Sequence, residues 1–288
     1  MHVDDLIRFA EGKRLGVLTG AGLSTDSGIP DYRGPETKRR ARNPIQHRDF
    51  IKDASGRQRY WARATIGWRR FSKAVPNDGH RALAELERTG SITGIVTQNV
   101  DRLHHGAGSG RIVELHGALA EVVCMECGRI SPRDALHARL EQLNPGWVRA
   151  DAEQAPDGDA EVEETRSFRV VDCDRCRGAL KPHVVFFGES VPKKRVEDAW
   201  AIFEEADGIL VVGSSLTVYS GYRFVRGAEE RGLPVAILNL GETRGDPHAA
   251  LRLDVSATPV LRSWADFIRE NRSKSVSKAH QSGVKPLT

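Results

Sequence analysis

The sequence predicts an α/β chain, a doubly wound and mostly parallel sheet with smaller inserted modules. Three observations carry that expectation. Four short apolar runs are continuous rather than alternating, the pattern of strands covered on both faces. Amphipathic stretches of helical period separate those runs, which suits a single sheet with helices on its faces. Two stretches break the alternation, and one of them holds all four cysteines as two Cys-x-x-Cys pairs.

The first strand is expected at Leu15–Thr19 and runs directly into a glycine-rich turn. The second, Gly94–Thr97, leads into Gln98 and Asn99. The third, Gly208–Val212, ends at Gly213, Ser214 and Ser215, and the fourth, Pro234–Leu240, ends near Asn239 and Gly241. Helices are expected over His80–Arg88, stopped at Gly90, and over Val196–Glu205, with Val196, Ala199, Trp200 and Phe203 on one face. A third covers Ser220–Arg231 and stops before Gly232, with Pro234 just beyond. Ligands of such sheets bind at the carboxyl ends of the strands, where these polar residues fall.

Arg33–Pro76 interrupts the pattern, with Tyr60, Ala64, Trp68 and Phe71 at helical spacing. Ala120–His183 interrupts it again, and the acidic run Asp151–Glu164 between the cysteine pairs reads as a solvated loop. From Arg272 onward periodicity is lost, and a disordered tail is expected over 272–288. The resulting map is one domain over 1–271. Its Rossmann-like core takes about 1–33, 80–119 and 184–271, its helical module about 34–79 and its metal-binding module about 120–183.

Composition narrows the class. With 288 residues, 39% hydrophobic and 28% charged, the chain has a soluble globular profile. No apolar run approaches the roughly 20 residues a membrane helix needs, and the N-terminus lacks the apolar core of a signal peptide. A cytoplasmic protein is expected, and there paired thiols favour metal over disulfides. The net charge of +4 suits an anionic ligand without demanding nucleic acid. The basic run Lys38-Arg39-Arg40-x-Arg42 is the best support for a non-enzymatic, nucleic-acid-binding zinc ribbon.

Four groups of residues carry chemistry. Gly20-Ala21-Gly22 after a strand has the form of a dinucleotide loop, in which glycines admit a pyrophosphate, although Thr25 stands where a third glycine would be. Gln98, Asn99 and Asp101 place two amides and a carboxylate at a strand end, a set able to hold a ribose and a carboxamide. His116 follows the apolar Ile112-Val113, and an imidazole titrating near ~6.5 accepts a proton at neutral pH; His104 and His105 compete for that role. Cys124, Cys127, Cys173 and Cys176 complete a zinc tetrahedron with no open position, hence a structural site.

Taken whole, Gly20–Arg33 reads GAGLSTDSGIPDYR and matches the sirtuin signature GAGxSxxSGIPDFR, with Tyr32 in place of the usual Phe. Thr97–His104 resembles the family's TQNxDxLH, Leu115-His116-Gly117 its LHG, Lys181–Glu189 its KPxxVxFGE and Gly213-Ser214-Ser215 its GSS. The resemblance runs from about Leu15 to about Leu261. The class II branch is indicated by Pro44–His47, Arg57–Arg63, Ala155–Asp159 and Val218–Phe224. Without a transit peptide, a bacterial member is expected.

The resemblance implies an NAD-dependent protein-lysine deacylase that releases nicotinamide and O-acyl-ADP-ribose. It implies NAD contacts at Gly20, Ala21, Gly22, Ser24, Gln98, Asn99, Asp101, Gly213, Ser214, Ser215, Asn239, Leu240 and Gly241, with Asp31, Tyr32 and Arg33 in a lid. The adenine is placed near Ala257, where the sequence departs from the Cys-Gly pair of many members. His116 becomes the general base, with Asn99 and Asp101 orienting the ribose. Val184, Val185, Phe186, Phe187, Gly188 and Glu189 would take the acyl-lysine peptide by strand addition and wall its tunnel. Tyr60 and Arg63 resemble a pair that reads acidic acyl groups; otherwise Tyr60 packs and Arg63 lies at the surface. Mono-ADP-ribosyl transfer with the same cofactor is the enzymatic alternative.

Overall fold

The structure is a computed structural model and describes residues 2–31, 45–147 and 165–282. Tyr32, Arg33, the basic run at 38–42 and the acidic run at 151–164 lie outside the described residues.

The continuous apolar runs form a parallel sheet, as their two-sided burial requires. Its strands are β1 (Leu15–Thr19), β2 (Ile92–Thr97), β3 (Ile112–Glu114), β7 (Gly208–Val212), β8 (Val235–Leu238) and β9 (Leu251–Leu253). They lie in the order β3-β2-β1-β7-β8-β9, each pair parallel. Every residue of β1, β2, β7 and β8 is buried. The chain leaves β1 toward β2 and later returns on its other side at β7, so the topological switch point lies at β1. A crevice opens at that point beyond the carboxyl ends of the strands.

Helices cover both faces. On one, Leu15, Val17, Ile95, Leu210 and Val212 pack against Leu6 of α1 (His2–Ala10), Leu83 and Leu86 of α4 (Asp78–Arg88), and Trp264 of α9 (Ala257–Ser282). On the other, Leu18, Val96, Ile209 and Val211 meet Phe203 of α7 (Lys193–Glu204) and Phe224 of α8 (Tyr219–Glu230). Asn77 starts α4 with a capping box closed by His80.

The inserted modules share a separate core. A three-stranded antiparallel sheet of β5 (Ile130–Pro132), β4 (Gly117–Cys124) and β6 (Leu180–Val184) carries the cysteine loops. Phe50 of α2 (His47–Lys52) and Tyr60, Trp61 and Trp68 of α3 (Ala54–Phe71) pack against Val122, Leu180, Phe168 and Leu136, the last on α6 (Arg133–Leu143). Arg133, 1% exposed, is the charged residue of this core. Its guanidinium sits 4.5 Å from the Trp61 ring centre and 5.5 Å from that of Trp68. It donates to the Ala64 carbonyl at 3.0 Å and is hydrogen-bonded to Tyr60. Burial pushes its pKa down, and the Tyr60 contact opposes that.

The tail expectation is corrected in part. Helix α9 continues past Arg272 to Ser282, because a helix already anchored by Trp264 gains one hydrogen bond for each residue it adds.

Candidate active site

A cavity of about 1170 Å³ lies at the switch point. That is at the upper end of small-molecule sites, commonly about 300–1,000 Å³, and gives room for two ligands side by side. One part is polar and built from strand ends. Ser24 donates to Asp101 Oδ2 at 2.7 Å, and the Leu103 amide donates to Asp101 Oδ1 at 2.9 Å. Asn99 Nδ2 donates to the Gly20 carbonyl at 3.1 Å and to Ser24 Oγ at 3.0 Å. Gln98 Nε2 donates to Ser214 Oγ at 2.8 Å. Burial pushes the Asp101 carboxyl upward, and the Leu103 amide and Ser24 hydroxyl oppose that.

The glycines also have a packing role. A Cβ on Gly20 would fall 2.7 Å from the Ser214 Cβ, and one on Gly22 3.0 Å from the Gly213 Cα. Gly213, at φ +60°, would place its Cβ 2.4 Å from the Leu23 nitrogen. These residues let the loops after β1 and β7 touch backbone to backbone, with the Gly22 amide donating to the Gly213 carbonyl at 2.8 Å.

His116 stands where this polar part meets an apolar one. Its Nδ1 is 2.8 Å from the Gln98 carbonyl, which can only accept, so Nδ1 carries the proton and Nε2 is bare. Burial pushes its pKa down to about 4, with Arg195 and Arg223 adding to the effect and the Gln98 carbonyl opposing it. The imidazole is therefore neutral across the physiological range. Beyond it the cavity is lined by Ile29, Ile45, Tyr60, Phe71, Leu119 and Phe186. The wall segment Val184–Glu189 is pinned at both ends. The Val185 amide donates to the His116 carbonyl at 2.9 Å, and Lys181 Nζ pairs with Glu189 Oε2 at 3.0 Å.

Most residues singled out from sequence line this one cavity. These are Gly20, Ala21, Gly22, Ser24, Asp31, Gln98, Asn99, Asp101, His116, Gly213, Ser214, Ser215, Asn239, Leu240, Gly241, Tyr60 and the whole of Val184–Glu189. Two do not. Ala257 opens α9 and is 7% exposed, packed in the core beneath the sheet, while Leu240, Gly241 and Glu242 line that end of the cavity. Arg63 is half-buried on α3 but is not among the lining residues, so the described wall around Tyr60 is apolar. His104, a competitor of His116, is 1% exposed, with Nε2 on Thr19 Oγ1 at 2.9 Å. Sequence reasoning missed Ser220 and Arg223, which line the cavity from α8; its one signal was the branch-specific stretch Val218–Phe224.

The four cysteine sulfurs lie within 4.8 Å of one another. The Sγ separations are 3.4 Å for Cys124–Cys176 and 4.0 Å for Cys127–Cys173. A tetrahedron with Zn–S bonds of ~2.3 Å has edges of about 3.8 Å, so the cluster fits zinc and leaves no position for substrate.

Fold and site together define an α/β protein with a large crevice at the switch point of its parallel sheet, a neutral histidine in that crevice and a separate four-cysteine cluster. A model of the Sir2 family matches residues 20–220, and the chain belongs to that family. It is 54% identical over 267 residues to NAD-dependent protein deacetylase 1 of Mycobacterium avium, covering 91% of this chain and 94% of that one. It is 52% identical over 258 residues to the mitochondrial NAD-dependent protein lipoamidase sirtuin-4 of Bos taurus, covering 88% and 82%. Among solved structures, a Sir2 protein with p53 peptide and NAD+ superposes with a TM-score of 0.73 at 31% identity, covering 95% of this chain and 99% of that one. A Sir2 protein bound to acetylated peptide gives 0.73 at 30% identity, covering 93% and 98%.

Proposed function

We propose that the protein is an NAD-dependent protein-lysine deacylase. The observation that carries this is His116, neutral and with a bare Nε2, at the junction of a polar dinucleotide-sized crevice and an apolar tunnel. The relatives named as NAD-dependent deacetylases and lipoamidase support it.

Bound NAD supplies an electrophilic ribose carbon with nicotinamide as leaving group, and the acyl group is passed to that ribose. The protein's part is mainly positioning, which can contribute up to roughly 7–11 kcal/mol. The backbone of Gly20–Gly22 and Ser24 would hold the pyrophosphate, Asn99 and Asp101 would orient a ribose, and Ser214, Ser215, Asn239 and Gly241 would hold the adenosine side, all of them lining the cavity. The lid role that the resemblance implies for Asp31, Tyr32 and Arg33 falls at Tyr32 and Arg33 outside the described residues. Val184–Glu189 receives the peptide. His116 accepts the proton of the hydroxyl that takes up the acyl group. The apolar lining around Tyr60, whose hydrogen bond goes to Arg133, favours an uncharged acyl chain. Zinc in the cysteine cluster holds the module and takes no part in the chemistry. A bacterial source is supported by the bacterial relatives, and among the described residues no helix is long and apolar enough to cross a membrane.

The test is incubation with NAD and lysine peptides carrying acetyl, lipoyl, long fatty, succinyl and glutaryl groups, followed by mass spectrometry. NAD-dependent loss of the uncharged groups is expected. His116→Ala should lower turnover by at least ~100-fold with zinc content unchanged. Full activity in that variant would remove His116 from the role.

A further inference from the structure

Helix α8 begins unusually close to the catalytic strand end. A Cβ on Gly221 would fall 2.4 Å from Gln98 Oε1, so glycine is what lets the helix lie against that side chain. The backbone carbonyl of the same Gln98 holds His116 Nδ1. This shared residue brings Ser220, the neighbour of Gly221, to the other side of the imidazole, with Ser220 Oγ 2.8 Å from His116 Nε2. Both groups line the cavity.

The hydrogen-bond count fixes the direction. A neutral imidazole has one acceptor lone pair. With Nδ1–H on the Gln98 carbonyl, that lone pair is on Nε2, and Ser220 donates into it. The base is therefore already engaged by a protein hydroxyl. A reacting hydroxyl that met Nε2 directly would have to break this bond. One that donates to Ser220 Oγ, which keeps free lone pairs, is connected to His116 with nothing broken.

We propose that Ser220 is a catalytic proton relay of this enzyme, a role that rests on the deacylase reading above. Ser220 Oγ takes the proton of the acyl-accepting hydroxyl while its own proton passes to His116 Nε2. The hydroxyl oxygen is left free to bond the acyl carbon, Ser220 ends as it began, and His116 ends as imidazolium. The charged groups facing His116 are Arg195 from α7 and Arg223 from α8, and both oppose that imidazolium. A short-lived proton acceptor that passes its proton back quickly follows from this setting.

The experiment compares zinc-loaded wild type, Ser220→Ala and Ser220→Thr by three readouts. In the ligand-free protein, the ¹⁵N resonance of the bare His116 nitrogen should move in Ser220→Ala, which loses the donor, and stay in place in Ser220→Thr. With NAD and acyl peptide, exchange of labelled nicotinamide into NAD precedes the proton transfer and should remain within about twofold of wild type in both variants. Formation of deacylated peptide should fall at least roughly tenfold in Ser220→Ala, in kcat rather than KM, and recover in Ser220→Thr. Unchanged or faster product formation in Ser220→Ala overturns the relay, because the hydroxyl then reaches His116 by itself. An unmoved His116 resonance overturns it too, whatever the activity. A wild type with neither exchange nor product removes the deacylase reading, and the relay with it.

Discussion

Mild acid should loosen this fold through its histidines. His80 and His104 are buried and His116 is half-buried in the cavity wall, and desolvation is the largest cause that pushes each pKa below the usual 6.5, to about 4 for His80 and His116 and well below 6.5 for His104. Between 6.5 and about 4 the unfolded chain therefore binds protons that the folded chain refuses. Stability is full above 6.5 and is lost as the pH falls through that window. From pH 7 to pH 5 a histidine shifted from 6.5 to about 4 removes about 2 kcal/mol, so His80 and His116 together remove about 4 kcal/mol, and His104 adds to it. Asp101, whose carboxyl is raised by burial, works in the opposite direction. Against a typical total of about 5–15 kcal/mol, the loss is large. The assay is the urea midpoint and slope at pH 7 and pH 5, with zinc retention followed in parallel because thiolate protonation acts the same way. His80→Gln should reduce the acid loss by about 2 kcal/mol, and Gln at this helix position can still close the capping box with Asn77. Equal stability at pH 7 and pH 5 with zinc bound would refute the reasoning.

Other consequences can be checked separately. In the free enzyme the acid limb of kcat/KM for NAD should lie well below pH 6.5, since His116 is held neutral down to about 4; a limb at 6.5 or above would contradict that burial. Cys173→Ser should lower zinc stoichiometry and the unfolding midpoint together, and a zinc-free variant of normal stability would end the structural role of the metal. Gly117→Ala forces a φ of +79° on alanine and sets its Cβ 2.1 Å from the His183 carbonyl, so a loss above about 2 kcal/mol is expected in urea titration. In the acyl panel, Arg63→Ala should leave the preference for uncharged acyl groups within about threefold of wild type, as Arg63 is absent from the cavity lining.

The sheet was legible because its central strands are buried on both faces and so read as unbroken apolar runs. Leu15–Thr19 and Gly208–Val212 appear with the expected bounds. Residues at the strand ends were legible as well, since their positions follow from the strands that carry them. What was not legible is how one element leans on another. Ala257 sits near the right end of the site in sequence but is turned into the core by the start of α9. Tyr60 and Arg63 share a helix face, yet only Tyr60 reaches the cavity. The purpose of Gly20 and Gly22 depended on Gly213, nearly two hundred residues away. Ser220 was visible only as part of the branch-specific stretch Val218–Phe224, and nothing there gave its role, because its meeting with His116 is made by Gly221 packing on Gln98.

Arg133 adds a polar link between the metal module and the tunnel wall within their shared core. It is the first residue of α6, which follows the metal loop at Cys127 through the short strand β5. Its guanidinium bonds the tyrosine that forms the tunnel wall. Zinc in the cysteine loops would therefore steady the tunnel wall from behind, and partial chelation is expected to broaden the range of acyl chains accepted before it lowers the release of nicotinamide.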